Sequence, residues 1–259
     1  MLRPRIIPCL LVRDKGLVKT VGFSDPKYIG DPINAVKIFN EKGVDELVVL
    51  DIDATVRGQE PDYRMIENLA AESRMPLCYG GGIRTADQAK TIIGLGVEKI
   101  AISSAAIGNP AFVALVADTV GNQSTVVVLD VKAQRKGKYE VFTGNGRVAT
   151  GRSPCDLAVE LERFGVGEIV LNSIDNDGRM KGYDLMMVEQ VLDAVNVPLT
   201  VLGGAGSLED IGALIRRFGV IGAAAGSMFV FKGVYRAVLI NYPGTAERDR
   251  LILDCLAGA

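Results

Sequence analysis

The two halves of this 259-residue chain repeat one another, which constrains its fold more than any single motif. Gly80-Gly81-Gly82 returns as Gly203-Gly204-Ala205, and Ser104 returns as Ser227 at the same spacing. Upstream, Gly43-Val44-Asp45-Glu46-Leu47-Val48 returns as Gly165-Val166-Gly167-Glu168-Ile169-Val170. Leu10-Leu11-Val12-Arg13 returns as Leu129-Asp130-Val131-Lys132. Short repeats would build a solenoid. Two copies this long fit one closed domain over 1–259, with halves of approximately 1–122 and 123–259. The copies differ where the second has Asp130 and the first has Leu11.

Short β-branched runs end at Leu11, Asp51, Tyr79, Ile102, Asp130, Asn172, Leu202 and Ala225, each followed by a loop and a helical pattern. Asp31-Pro32, Asn109-Pro110 and Ser153-Pro154 place a capping side chain before a proline at the first helical position. Thr85…Gln88 and Ser207…Asp210 have the spacing of a capping box. Gly43, Gly96, Gly165 and Gly219 sit where helices end in a left-handed residue. Alternating strand and helix with no hairpin signal predicts a parallel α/β sheet, and eight units predict a single (β/α)8 TIM barrel made of two (β/α)4 halves. An open doubly wound sheet is the rival, and the half-chain repeat favours closure.

Composition narrows the function. A hydrophobic share of 48% supplies a large core, and a formal charge of −2 without a Lys/Arg run gives nucleic acid no basic patch. The longest apolar tract, Val220–Phe231, is too short to span a bilayer and is broken by Ser227. Arg3 and Arg5 precede only a short apolar stretch, which does not read as a secretory signal. Four cysteines without metal-ligand spacing, in a chain lacking histidine, predict no metal site and no cofactor. They read as buried thiols of a cytoplasmic protein.

In such a barrel the loops after the strands form the active face. Gly80–Gly82 and Gly203–Gly206 follow the third and seventh strands; Ser103-Ser104 and Gly226-Ser227 follow the fourth and eighth. Glycine lets backbone N–H groups approach an anion. Strand-to-helix turns use glycine anyway, but two such turns, each beside a hydroxyl turn, predict two phosphate sites facing each other across the mouth. Gly81, Gly82, Ser103 and Ser104 would form one, and Gly203, Gly204, Gly226 and Ser227 the other. Between them lies Asp130, ending the apolar run Val126–Leu129, where desolvation would raise its pKa. Without histidine, acid–base work falls to such a carboxylate, although an acid here also reads as a partner of Lys132 or a loop cap. Asp51 and Asp177, in strand-end loops, are candidates for ligand hydroxyls, and Lys19 lies in a long loop, Arg13–Gly30, that reads as a lid.

Arg5-Ile6-Ile7-Pro8-Cys9-Leu10, Gly80-Gly81-Gly82-Ile83, Ile174-Asp175-Asn176-Asp177-Gly178 and Gly203-Gly204-Ala205-Gly206 resemble the cyclase subunit of imidazole glycerol phosphate synthase. The resemblance runs from Met1 to about Phe231. It implies a lyase of histidine biosynthesis that takes ammonia from a glutaminase partner and cyclises a substrate with two phosphates. The products would be imidazole glycerol phosphate and an aminoimidazole carboxamide ribotide. It further implies that Arg5, Glu46, Lys99 and Glu168 ring the barrel floor as an ammonia gate. The glutaminase would dock there, on the N-terminal face, as the other half of a heterodimer.

The resemblance also marks departures. The family's paired catalytic aspartates fall on Asp130 and Leu11, and leucine transfers no proton. Lys19 falls on a lysine of the family's mobile first loop; Asn172 and Ser103 fall where the family more often has threonine and asparagine. The stretch Val234–Ala259 is atypical. Divergent relatives without the first aspartate are linked to amidino-sugar formation in surface polysaccharides, so a nucleotide-sugar acceptor is the alternative. A non-catalytic glutaminase-activating module is a third possibility, and Asp130 with two glycine turns argues against it.

Overall fold

The computed structural model describes residues 3–257, so Gly258 and Ala259 of the C-terminal stretch lie outside the described residues. Eight parallel strands close into a barrel: β1 (Arg5–Arg13), β2 (Leu47–Asp51), β3 (Leu77–Gly80), β4 (Lys99–Ile102), β5 (Thr125–Ala133), β6 (Glu168–Ser173), β7 (Leu199–Leu202) and β8 (Gly222–Ala225). Each pairs with the next, and Arg5 opposite Gly222 starts the β1–β8 ladder that shuts the ring. Helices pack outside, which is the barrel expected from the alternating pattern. Its strands overrun several predicted ends: β1 reaches Arg13 and β5 reaches Ala133.

Strand alternation makes two apolar layers. Ile6, Leu10 and Val12 of β1 face the helices, whereas Ile7, Cys9 and Leu11 face the lumen. The lumen is otherwise filled by Val48, Cys78, Ala101, Val126, Val128, Val170, Leu202 and Ala224. Cys9, Cys78 and Cys255 are buried and Cys155 is half-buried, all as free thiols.

Local signals largely act as the sequence predicts. Asp31 accepts the N–H of Asn34 at 2.8 Å, and Thr85/Gln88 and Ser207/Asp210 form reciprocal capping boxes. Gly43, Gly96, Gly165 and Gly219 all have positive φ. Two expected caps fail: Ser153 makes no side-chain cap bond, and the helix after Asn109 begins at Ala111 with Pro110 in the cap position.

The expectation of no hairpins is overturned. Residues 13–30 are not an open loop. Gly16–Val21 pairs antiparallel with the end of β1 and with Ser24–Gly30. Beyond β5, Tyr139–Thr143 and Val148–Ala149 form a second hairpin over the barrel, and a short third one joins Phe231–Lys232 to Ala237–Val238. The C-terminal helix Thr245–Ala257 packs against Leu208–Phe218 and is tied to the barrel floor through Arg248, which donates to Gly43 O at 2.8 Å. Among the described residues, no helix is long and apolar enough to cross a membrane.

Candidate active site

The C-terminal ends of the strands surround a cavity of about 470 Å³. Its lining includes Leu11, Asp51, Gly81, Gly82, Ser103, Ser104, Asp130 and Asn172. The first two hairpins roof it, the first through Lys19, Thr20 and Phe23, the second through Gly144 and Asn145. Asn145 reaches across the mouth to donate to Ile52 O at 2.7 Å.

Asp130 projects into this cavity from β5, beside Asn172 on β6; the two residues are in register and Asn172 Nδ2 donates to Asp130 Oδ1 at 2.8 Å. Some of its side chain meets the cavity, yet protein packs closely around the carboxyl. Burial pushes its pKa up to about 7, opposed by the Asn172 bond and helped by the Asp177 charge. The alternative roles named from sequence do not appear: Lys132 turns away to donate to Gly146 O at 2.8 Å. Leu11 lines the same cavity without a polar atom to offer.

The two glycine turns are separated rather than facing each other across open space. Gly203, Gly204 and Ser227 line a second hollow of only about 10 Å³, shared with Lys19, Asp177 and Gly226. Lys19 and Asp177 make the partition: their side chains are buried and meet at 2.6 Å. Asp177 also accepts from Thr20 Oγ1 at 2.7 Å and from the Phe23 N–H at 3.4 Å, so its oxygens are committed to the first hairpin. Ser227 Oγ, by contrast, is buried without a hydrogen-bond partner among the described residues. In the first turn the Gly82 N–H is already bonded to Thr55 Oγ1 at 3.1 Å, leaving fewer donors than the sequence suggested. Asp51 accepts the N–H groups of Asp53 and Ala54, each at 3.0 Å, and burial raises its pKa. Glycine at 81 and 203 also has a packing cause. Both have positive φ, and a Cβ would run into Asp51 O at Gly81 and lie 2.6 Å from Ser173 O at Gly203.

At the opposite end, four charges close on one another across the barrel floor. Arg5 donates to Glu46 and, at 2.7 Å, to Glu168; Lys99 reaches Glu46 and Glu168, each at 2.9 Å. Glu46 and Glu168 are only 4% and 5% exposed, so the ring is buried and not a solvated rim. Burial alone would raise the Glu168 pKa; Arg5 and Lys99 outweigh it and hold the carboxyl below the usual range. Thr200, which sequence inspection missed, donates to Glu168 Oε1 at 2.5 Å. Strand parity marks it, because Thr200 lies two residues before lumen-facing Leu202. Among the described residues, no group of three His, Cys, Asp or Glu side chains is placed to hold a metal ion.

A (β/α)8 barrel with a half-buried carboxyl at its mouth and a closed charge ring at its floor has the form of a small-molecule enzyme. Comparison with known sequences makes this specific. The histidine biosynthesis protein family matches over residues 5–236, and the chain belongs to that family. A protein of Leptospira borgpetersenii named putative imidazole glycerol phosphate synthase subunit HisF is 55% identical over 252 residues, covering 97% of this chain and 99% of its own. Pseudomonas aeruginosa has one named putative subunit hisF2 at 51% identity, covering 96% and 99%. Imidazole glycerol phosphate synthase subunit HisF of Streptococcus sanguinis is 39% identical, covering 88% and 91%. The chain is therefore a synthase subunit of the HisF type.

Proposed function

We propose that the chain receives ammonia from a glutaminase through the barrel floor and adds it to an acceptor carrying two phosphate groups. One observation carries this: the ring of Arg5, Glu46, Lys99 and Glu168 sits beneath an apolar lumen that leads to Asp130. Charged ammonium is excluded from such a lumen by its desolvation cost, whereas neutral ammonia is not. The lead reaction is that of the family. A bisphosphate ribonucleotide and ammonia give imidazole glycerol phosphate, an aminoimidazole carboxamide ribotide and water in the cytoplasm. Asp130 is the acid–base group, since a pKa near 7 lets it hold or release a proton at neutral pH. Gly81, Gly82, Ser103 and Ser104 bind one phosphate, and Gly203, Gly204, Gly226 and Ser227 the other; the partnerless Ser227 hydroxyl supports the second. Asp51 and Asn172 hold the acceptor between them, and the Lys19–Asp177 pair walls the space between the two phosphate sites. The glutaminase docks on the N-terminal face, where Arg5 and Lys99 keep some exposure.

Leu11 favours a second reading. Without a second carboxylate the usual cyclisation lacks a proton partner, and the acceptor becomes a nucleotide sugar receiving ammonia to form an amidino-sugar. Complementation separates the two. Growth of a histidine auxotroph lacking its cyclase supports the first. No growth, with stable protein and glutamine-dependent turnover of a nucleotide sugar, supports the second.

A further inference from the structure

The carboxamide of Asn172 lies between Asp130 and the second glycine turn. Its Nδ2 donates to Asp130 at 2.8 Å, while its Oδ1 is buried and has no hydrogen-bond partner among the described residues. That oxygen points at the second glycine turn, where a Cβ on Gly203 would lie 3.2 Å from it. An orphaned buried acceptor is costly. The two ends of a carboxamide have the same shape, so turning it over leaves packing unchanged but exchanges donor for acceptor. Turned over, Oδ1 needs a proton on Asp130, and Nδ2 faces the turn as a donor. We propose that Asn172 is a positioning residue that couples the two: an anion binding at the Gly203 turn draws Nδ2 toward itself, and Asp130 takes up one proton from solvent to donate to Oδ1.

Of the other ionisable groups, Asp177 acts on Asp130 through its charge, Asp130 acts in turn on the Cys9 thiol, and Lys19 and Asp51 line the same cavity. Asp177 and Lys19 are already paired at 2.6 Å, burial pushes the thiol up to about 12, and Asp51 is held by the N–H groups of Asp53 and Ala54, so Asp130, the carboxylate bonded to Asn172, accepts the proton. The proposal rests on the Gly203 turn being an anion site.

Sulfate, which does not titrate near neutrality, is the probe. Calorimetry at pH 7 and 8 in buffers of different ionisation enthalpy reads protons taken up per sulfate bound. Uptake of up to about half a proton at pH 7, and more at pH 8, is expected for a group half ionised near 7. Asn172→Ala should still bind sulfate but take up none, and Asp130→Asn, which keeps the shape of the site, should abolish uptake too. Persistent uptake in either variant, or binding without uptake in the parent, overturns the coupling. Absence of sulfate binding that Gly203 substitution can affect overturns the anion site as well. The two failures are thus distinct.

Discussion

Lys19 Nζ and Asp177 Oδ1 meet at 2.6 Å, and this buried ion pair fastens the first hairpin to the loop after β6. Thr20 and the backbone of Phe23 add to the same carboxylate. Removing one member of a buried pair strands the other, at about 3–5 kcal/mol if nothing moves. Here the hairpin can move, so Asp177→Asn should release it and let Lys19 reach water. Hydrogen exchange over residues 16–30 should speed up at least about tenfold, each factor of ten being about 1.4 kcal/mol of opening free energy. The barrel strands should keep their protection. Unchanged exchange in the hairpin would mean that Asp177 does not hold it.

Asp130 makes stability depend on pH in a stated direction. Its folded pKa of about 7 lies above the ordinary value of 3.8, so the folded protein keeps a proton that the unfolded chain releases. Stability therefore falls as pH rises from about 4 to about 7 and is flat above. Asp130→Asn should remove this slope. At pH 8 the variant should be more stable by on the order of 4 kcal/mol, and at pH 4 it should match the parent. Urea unfolding at both pH values checks it; a gain of equal size at pH 4 would point to packing rather than ionisation.

The barrel was legible because its cause is local and repeated: β-branched runs, capping residues and glycine stops recur along the chain. The hairpins were less legible because their turns use unusual residues. Asp14, Lys15 and Phe23 all have positive φ, a conformation that composition does not advertise for lysine or phenylalanine. Asn145-Gly146 is different: it is a standard hairpin dipeptide, a signal present in the sequence that a hairpin-free reading of the chain passes over. In the site, strand ends revealed Asp130 and Asp51. The Lys19–Asp177 partition joins residues 158 apart in sequence, and only the packed barrel brings them together.

Lys99 links both glutamates of the floor ring. Lys99→Ala leaves Arg5 to hold them, so the loss should be on the order of 2 kcal/mol, below the full cost of breaking a buried pair. The variant should fold with a melting temperature lower by about 4–8 °C. If the ring gates ammonia, glutamine-dependent turnover should fall more than turnover fed with ammonium salts, since external ammonia enters through the mouth. Equal loss of both activities, with the fold intact by circular dichroism, would rule out a gate at this residue.

Leu11→Asp tests whether the mouth is a cyclase site missing one carboxylate. Leu11 already lines the cavity beside Leu50, so an aspartate there can reach the ligand while its backbone keeps its ladder with β2. A second carboxylate near Asp130 would push the two pKa values apart, one staying low and the other rising further. The dependence of kcat/KM on pH, with neutral ammonia held constant, should then change shape. The parent should show one limb near 7, set by Asp130 alone, and the variant a bell. Turnover of the family's bisphosphate substrate should rise by about 10²- to 10⁴-fold, the usual contribution of a general acid or base. If the variant folds and binds this substrate but stays at background, the mouth has been rebuilt for another acceptor, and the nucleotide-sugar reading takes its place.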